Sequence, residues 1–164
     1  MKKLFIDNYE IACISAVSEN LDEKENKERN RVLSAYLLYR GYGITNIESK
    51  YIKSFGKVDI EENSFFVVNL RNSPDFYQIL FMISVYYHQD SFLYKPKGHD
   101  AEAYVIGTSH RGVPGYEVWL SVGKLDINIE KDLLDTFMHH TLYGKQAIAI
   151  IAKPLVCCKC SHFL

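Results

Sequence analysis

The densest apolar stretch of the chain spans residues 61–93, and its pattern predicts a buried strand followed by a buried helix. Consecutive aromatic and β-branched residues at positions 65–68 are typical of a strand covered on both faces. Ser73 offers a helix N-cap, and Pro74 suits the first helical position because its missing N–H is not needed there. Apolar side chains then recur at helical spacing over residues 76–88, so we expect a helix almost surrounded by protein.

The first 43 residues predict one or two strands and then a long helix. Residues 4–17 alternate imperfectly between apolar and polar positions, whereas residues 23–40 have helical spacing with apolar side chains only in the second half. Opposite charges four residues apart support this helix, namely Glu23 with Lys27 and Glu25 with Arg29. Gly41 predicts a left-handed C-cap that ends it.

The rest of the chain predicts shorter strands and a last helix. Strands are expected at residues 44–55, 91–94, 101–108 and 116–122. The second and third of these pair as a hairpin. Residues 126–128 can cap a last helix with apolar positions at 133–142, and residues 146–152 fit either a strand or a continuation of that helix. This mixed order favours an α+β sandwich, with a mostly antiparallel sheet of five to six strands packed against three helices.

Length and composition fit one globular domain. The chain has 164 residues, 48% hydrophobic and 24% charged, and we place the domain at residues 1–154 and a cysteine-rich tail at 155–164. A net charge of −1 argues against nucleic-acid binding. No apolar run reaches the ~18 residues that a membrane helix needs. The N-terminus turns polar too early for a signal peptide, so we expect a cytoplasmic protein without a membrane partner.

The tail contains the most conspicuous soft metal ligands, Cys157, Cys160 and His162. Zinc binds thiolate and imidazole groups tetrahedrally, but structural sites usually place two residues between paired cysteines. Cys157 and Cys158 are adjacent and point apart, and a terminal tail is poorly fixed. We therefore expect neither a metal nor a cofactor.

The segment 107–112 combines glycines and hydroxyls with two candidate cations, His110 and Arg111. It lacks the phosphate-loop spacing, and no helix N-terminus follows it, so an exposed hairpin loop is favoured over an anion site. Together with Tyr116, these two side chains are candidate protein contacts.

Two short motifs stand out between residues 11 and 94, an Asn-x-x-Arg-Asn motif and a Gln-Asp-Ser motif. With the residues around them they form the set Ser15, Ala16, Glu25, Asn26, Arg29, Asn30, Leu33, Gly41, Tyr42, Glu62, residues 64–68, Tyr87, Gln89, Asp90 and Ser91. This set resembles a family of small bacterial and phage proteins of unknown function. The resemblance implies a compact domain over residues 11–94 and supplies no catalytic residue.

The recurring polar residues form the candidate ligand site, which consists of Asn26, Arg29, Asn30, Glu62, Gln89 and Asp90. An arginine with amides and carboxylates suits a planar or anionic ligand. The alternative is that these side chains satisfy the ends of helices and strands.

The sequence supports two hypotheses about function, which belong to different classes of protein. Small size, near-neutral charge, abundant tyrosine and missing catalytic motifs favour a noncatalytic phage accessory factor acting in the host cytoplasm. It would bind and inhibit or modulate a host protease, nuclease or defence enzyme, and its surface tyrosines could support a homodimer. The alternative is a small enzyme or a nucleotide- or anion-binding domain, with Arg29 holding an anion and Glu62 or Asp90 acting as base.

Overall fold

The computed structural model describes residues 7–46, 64–128 and 149–152. Within these ranges the helices are α1 (Glu23–Tyr39) and α2 (Phe76–Tyr86). The strands are β1 (Ile11–Ile14), β2 (Gly43–Asn46), β3 (Phe65–Val68), β4 (Ser91–Lys95), β5 (Ala103–Gly107), β6 (Trp119–Gly123), β7 (Leu125–Asn128) and β8 (Ala149–Ala152). Neither described helix has the length and apolar character needed to cross a bilayer.

Six strands form one sheet in the order β2-β3-β1-β4-β5-β6, and every neighbouring pair is antiparallel. This confirms the α+β class and the mostly antiparallel sheet, including the hairpin of β4 and β5. β3 is buried along its whole length, as its apolar run predicts. The predicted helical positions 133–142 lie outside the described residues, so the sandwich and the third helix stay predictions.

The predicted cap at residues 126–128 is wrong, because these residues belong to β7. They pair antiparallel with β8 in a second sheet, where Asp126 lies opposite Ile151 and Asn128 opposite Ala149. Residues 149–152 therefore form a strand, which was one of the two alternatives that the sequence left open. Cross-strand hydrogen bonds fix a conformation here that the local capping preference of Asp and Asn does not reveal.

The main core lies between the large sheet and both helices. Alternate residues of the strands point to this side, and they pack against Leu33 and Leu37 of α1 and Phe76 and Leu80 of α2. Only the second half of α1 contributes buried residues, as predicted. The Tyr42 and Phe76 rings meet edge to face at 5.0 Å in the interior of this core.

Local contacts define both ends of α1. Asp22 caps the helix and forms a capping box with Glu25, and Gly41 ends it at φ +82°. The predicted Glu23–Lys27 pair is present at 3.1 Å. The predicted Glu25–Arg29 pair is absent among the described contacts, because Glu25 bonds back to the Asp22 N–H and Arg29 bonds to main-chain carbonyls.

The start of α2 differs from the prediction. The helix begins at Phe76 with Asp75 as its N-cap, and that cap makes no side-chain hydrogen bond. Ser73 does not cap it, because the Asn69 side chain brackets the Ser73 main chain, accepting from its N–H and donating to its carbonyl at 2.9 Å each. An ion pair between Arg40 and Asp75 joins the end of α1 to the start of α2.

Candidate functional site

The predicted amides and arginine meet at one end of the large sheet, where β1 ends and β4 begins. Asn26 accepts a hydrogen bond from the Ser18 N–H at 2.9 Å and donates to the Ser18 carbonyl at 3.0 Å. Gln89 donates to the Val17 carbonyl at 2.9 Å. Side chains far apart in sequence thus hold the segment that leaves β1.

Arg29 extends this arrangement to the end of α2. Its Nε donates to the Ala16 carbonyl at 2.7 Å, and its Nη2 donates to the Tyr87 carbonyl at 2.9 Å. The guanidinium carbon also lies 5.0 Å from the centroid of the Tyr87 ring. We call Asn26, Arg29 and Gln89 the edge brace.

The edge brace directs these hydrogen bonds to main-chain carbonyls, which is the arrangement expected of side chains that satisfy chain ends. Asn30 follows Arg29 on α1 and is partly buried. Glu62 lies outside the described residues, as do Cys157, Cys160 and His162. Their roles as ligand residues therefore stay predictions.

Asp90 connects the edge brace to the loop of residues 108–118. Its carbonyl accepts from the Thr108 N–H at 2.9 Å, and the Thr108 hydroxyl donates to the Gln89 carbonyl at 2.7 Å. Gly112 packs so closely on the Asp90 side chain that a Cβ at that position would lie 2.3 Å from the carboxyl carbon. The loop consequently rests against Asp90.

The same loop is closed at its neck by main-chain contacts. The Gly107 N–H donates to the Val118 carbonyl, and the Glu117 N–H donates to the Gly107 carbonyl, both at 2.9 Å. The Gly115 carbonyl oxygen lies where a Gly107 Cβ would be, at 1.6 Å, so only glycine fits there. Beyond the neck the His110 ring stacks on Tyr116 at 4.4 Å.

A row of aromatic rings extends from this loop along α2 to the outer strands. The Phe81 ring lies 5.6 Å from Tyr116 and 6.2 Å from Tyr77. The Trp119 ring lies 5.2 Å from both Tyr77 and Tyr104. We call these five residues the aromatic ledge; Trp119, its most exposed member, is 45% exposed.

Strand pairing explains how the aromatic ledge forms. Tyr94 lies opposite Tyr104, and Ile106 lies opposite Trp119, so all four side chains point to the helix side of the sheet. Tyr94 is the buried layer beneath, with ring distances of 5.0 Å to Tyr77 and 5.7 Å to Trp119. The Tyr94 hydroxyl donates to a Glu10 oxygen at 2.6 Å. The pKa of Tyr94 is raised, mainly because the ring is buried and also because of the Glu10 carboxylate.

Two carboxylates border the aromatic ledge. Glu102 accepts a hydrogen bond from Ser121 at 2.7 Å, and Ser121 lies opposite Tyr104. The pKa of Tyr77 is raised, mainly by burial; the hydrogen bond from Trp119 lowers it, and the nearby Glu117 carboxylate raises it further. Within the described ranges neither Glu102 nor Glu117 forms a salt bridge. This surface suits a flat ligand that carries positive charge.

Sequence reasoning found only part of this surface. His110 and Tyr116 were expected as protein contacts, and the structure places them at one end of the aromatic ledge, with Arg111 exposed between them. Trp119 was missed, although it is the only tryptophan in the sequence. The available signal was that Glu117 and Ser121, which flank it on the same face of the predicted strand, are both polar, so that face was not expected to belong to the core.

The fold and the surface define a small α+β domain that presents aromatic rings beside carboxylates. The chain belongs to the S-adenosylmethionine lyase family, whose model matches residues 12–126. No curated protein and no solved structure matches the chain.

The family match corrects two expectations from the sequence. The resemblance to a family of unknown function is replaced by membership of a family that is named for an enzymatic activity. The favoured reading as a noncatalytic inhibitor of a host protein is therefore wrong, and the match gives no indication of a phage source. Motif searches missed the enzyme because the known nucleophile and metal motifs they target are absent from this sequence.

Proposed function

We propose that this protein is an S-adenosylmethionine lyase, which breaks a carbon–sulfur bond of that substrate without using water. The family match carries the proposal. The matched residues 12–126 include every member of the aromatic ledge, which is the candidate site. The expected alternative of a small enzyme or nucleotide-binding domain is close to this activity, since the substrate is an adenosine derivative. The location of the site on the aromatic ledge is part of the proposal.

The chemistry of the substrate fits the aromatic ledge. S-adenosylmethionine carries a flat adenine, a sulfonium, an ammonium and a carboxylate, so its net charge is positive. Tyr and Trp faces stack on bases and attract cations. Glu102 and Glu117 add negative potential at the border of the same surface. The adenine would stack on the exposed face of Trp119, which leaves the sulfonium among tyrosine rings.

The electron balance restricts the reaction. When a carbon–sulfur bond breaks, its electron pair goes to sulfur, which becomes a neutral thioether. Without water, the substrate itself must supply the replacement: its carboxylate oxygen can attack the γ-carbon and close a lactone, or a base can remove a β-proton and leave an alkene. The first route needs no protein base and is the one that we propose.

An apolar surface accelerates the lactone route for an electrostatic reason. The attacking carboxylate and the sulfonium lose their opposite charges as the new bond forms, so the transition state is less polar than the bound substrate. Removing water from the reacting groups therefore lowers the barrier. Phe81, Tyr77 and Trp119 supply such a surface, and Asp90 is not required as a base on this route.

The test is to incubate the purified full chain with S-adenosylmethionine in 18O-labelled water and to analyse the products by NMR and mass spectrometry. We expect methylthioadenosine and a lactone, with no label in the hydroxyl oxygen of the homoserine that the lactone later yields. Label in that hydroxyl would show hydrolysis at the γ-carbon, and an alkene product would show elimination. Absence of any cleavage would overturn the proposed function.

Substitution of Trp119 tests the location of the site. Stacking on one aromatic residue stabilises a bound base by roughly 1–3 kcal/mol, so Trp119→Ala should lower kcat/KM by about tenfold to a hundredfold. Tyr39→Ala is the matched control, because Tyr39 is an 84% exposed aromatic residue at the C-terminal end of α1 and is not a member of the aromatic ledge. Equal activities of the two variants would place the site elsewhere.

A further inference from the structure

Glu117 adopts a backbone conformation that favours glycine. Its φ is +60°, in the left-handed region, where a side chain with a Cβ is strained. The conformation is held by the hydrogen bond from its N–H to the Gly107 carbonyl and by the neighbouring bond from Val118 to Gly115 at 3.0 Å. Strained non-glycine residues cluster at functional sites, so a glutamate at this position points to a use for its side chain.

The position of Glu117 indicates what that use is. It lies two residues before Trp119, it is exposed, and the charge of its carboxylate contributes to the raised pKa of Tyr77. Trp119 and Tyr77 are in ring contact at 5.2 Å. In the described part of the chain, no salt bridge neutralises Glu117. The carboxylate is therefore available at the border of the aromatic ledge.

We infer that Glu117 is the residue that selects the positively charged sulfonium substrate over its neutral thioether counterparts. This inference rests on the proposed function and assigns a specificity residue to the same site. A carboxylate beside aromatic rings attracts a sulfonium both directly and by adding to the potential at the ring faces. The thioether product has lost that charge, so the same carboxylate favours binding of substrate and release of product.

Other charged groups near the aromatic ledge have less suitable positions. Glu102 already accepts a hydrogen bond from the Ser121 hydroxyl, and the Asp90 carboxylate packs against Gly112 of the loop. Arg111 is exposed in the loop and has the sign that repels a cation. Glu117 is thus the carboxylate for which ring proximity and backbone strain coincide.

The test compares two ligands that differ mainly in charge at the reacting centre. Sinefungin has an ammonium-bearing carbon in place of the sulfonium and is not cleaved, whereas S-adenosylhomocysteine is a neutral thioether at that position. Calorimetry of the full chain should give wild-type preference for sinefungin, and Glu117→Gln should reduce the ratio of the two Kd values by about fivefold, as expected for one favourable exposed charge pair. Glu28→Gln removes an exposed charge from α1 and should leave the ratio unchanged.

A second variant separates recognition from folding. Glu117→Gly relieves the left-handed strain, so we expect its Tm to equal or exceed that of the wild type while the ratio of the two Kd values falls as it does in Glu117→Gln. Asn72→Gly relieves similar strain at φ +49°, away from the aromatic ledge, and should keep the preference. If the wild type binds both ligands and Glu117→Gln retains the ratio, the assignment of Glu117 is wrong. If the wild type binds neither ligand and cleaves no S-adenosylmethionine, the proposed function itself is wrong.

Discussion

Tyr77 and Trp119 are in ring contact, with centroids 5.2 Å apart, and this contact joins α2 to the outermost strand of the large sheet. Tyr77 also meets the buried Tyr94 ring, so the exposed tryptophan is connected to the main core through one tyrosine. A ligand that covers Trp119 would be supported by α2 and the sheet together. The shape of the aromatic ledge therefore depends on the docking of α2 as well as on the strands.

The first prediction uses Trp119 as a reporter, because it is the only tryptophan in the sequence. Sinefungin should change the intrinsic fluorescence saturably, since an adenine stacked on the half-exposed indole alters its surroundings. A titration monitored at tryptophan emission gives the Kd, which should agree with calorimetry. Tyr39→Ala should show the same change. Calorimetric binding without any fluorescence change would mean that the ligand does not contact the aromatic ledge.

The second prediction concerns the edge brace. Arg29→Ala removes a charged donor from the carbonyls of Ala16 and Tyr87, and we expect a loss of about 2–3 kcal/mol in the free energy of unfolding. Arg29→Lys should recover only part of it, because an ammonium lacks the planar fork that reaches two carbonyls. Urea denaturation measures both variants. Arg31→Ala, which removes only an exposed pair with Glu28, is the control and should leave the urea midpoint nearly unchanged.

The third prediction tests the loop neck. Gly107→Ala places a methyl group on the Gly115 carbonyl oxygen, so the loop must open and displace Tyr116 and Trp119. Sinefungin affinity should fall at least about tenfold, as it would on losing one stacked ring. Far-UV circular dichroism checks that the sheet persists. Val113→Ala, an exposed change in the same loop, is the control; equal affinities of both variants would show that the neck does not position the site.

The fourth prediction is a pH dependence of stability from Lys95, which is 1% exposed. Burial lowers its pKa from 10.5 to about 8, although the Asp7 and Glu10 carboxylates act in the opposite direction. Between these pH values Lys95 binds more protons in the unfolded chain than in the folded one, so its contribution to stability rises with pH. From pH 7 to 9.5 the free energy of unfolding should rise by about 2 kcal/mol relative to Lys95→Met.

Urea denaturation at several pH values checks this last prediction. Limiting the range to pH 9.5 avoids most of the titration of tyrosine, which would lower stability in more alkaline solution because burial raises the pKa of Tyr94 and Tyr77. Parallel curves for the wild type and Lys95→Met would show that Lys95 does not titrate in this window.

Much of the fold was readable from local patterns. The bounds of α1 follow from its capping residues and charge pairs, β3 from its apolar run, and the β4–β5 hairpin from alternation and the loop between the strands. The wrong predictions also came from local patterns. Ser73 and residues 126–128 have the composition of helix caps, but Asn69 and the partner strand β8 provide competing hydrogen bonds that a local reading does not include.

The candidate site was predictable only in part. Asn26 and Arg29 lie three residues apart on one helix, so their shared face follows from the helical repeat. That they converge with Gln89 to hold a ligand stays a prediction, and the structure shows that all three side chains bind main-chain carbonyls, which local patterns do not reveal. Tyr77, Tyr104 and Trp119 have no common spacing, and sequence reasoning did not group them.

The sequence by itself determined the apolar periodicity, the caps of α1 and the α+β class, because each depends on residues within a few positions of one another. Only the tertiary structure decided that α2 lies beside β5 and β6, and that the neck at Gly107 returns the loop to Trp119. The physical reason is that strand order and ring contacts are set by packing among segments far apart in the sequence, with 42 residues separating Tyr77 from Trp119 and 84 separating Ile11 from its strand partner Lys95. Side-chain chemistry is encoded along the chain, but its assembly into a surface is a property of the fold.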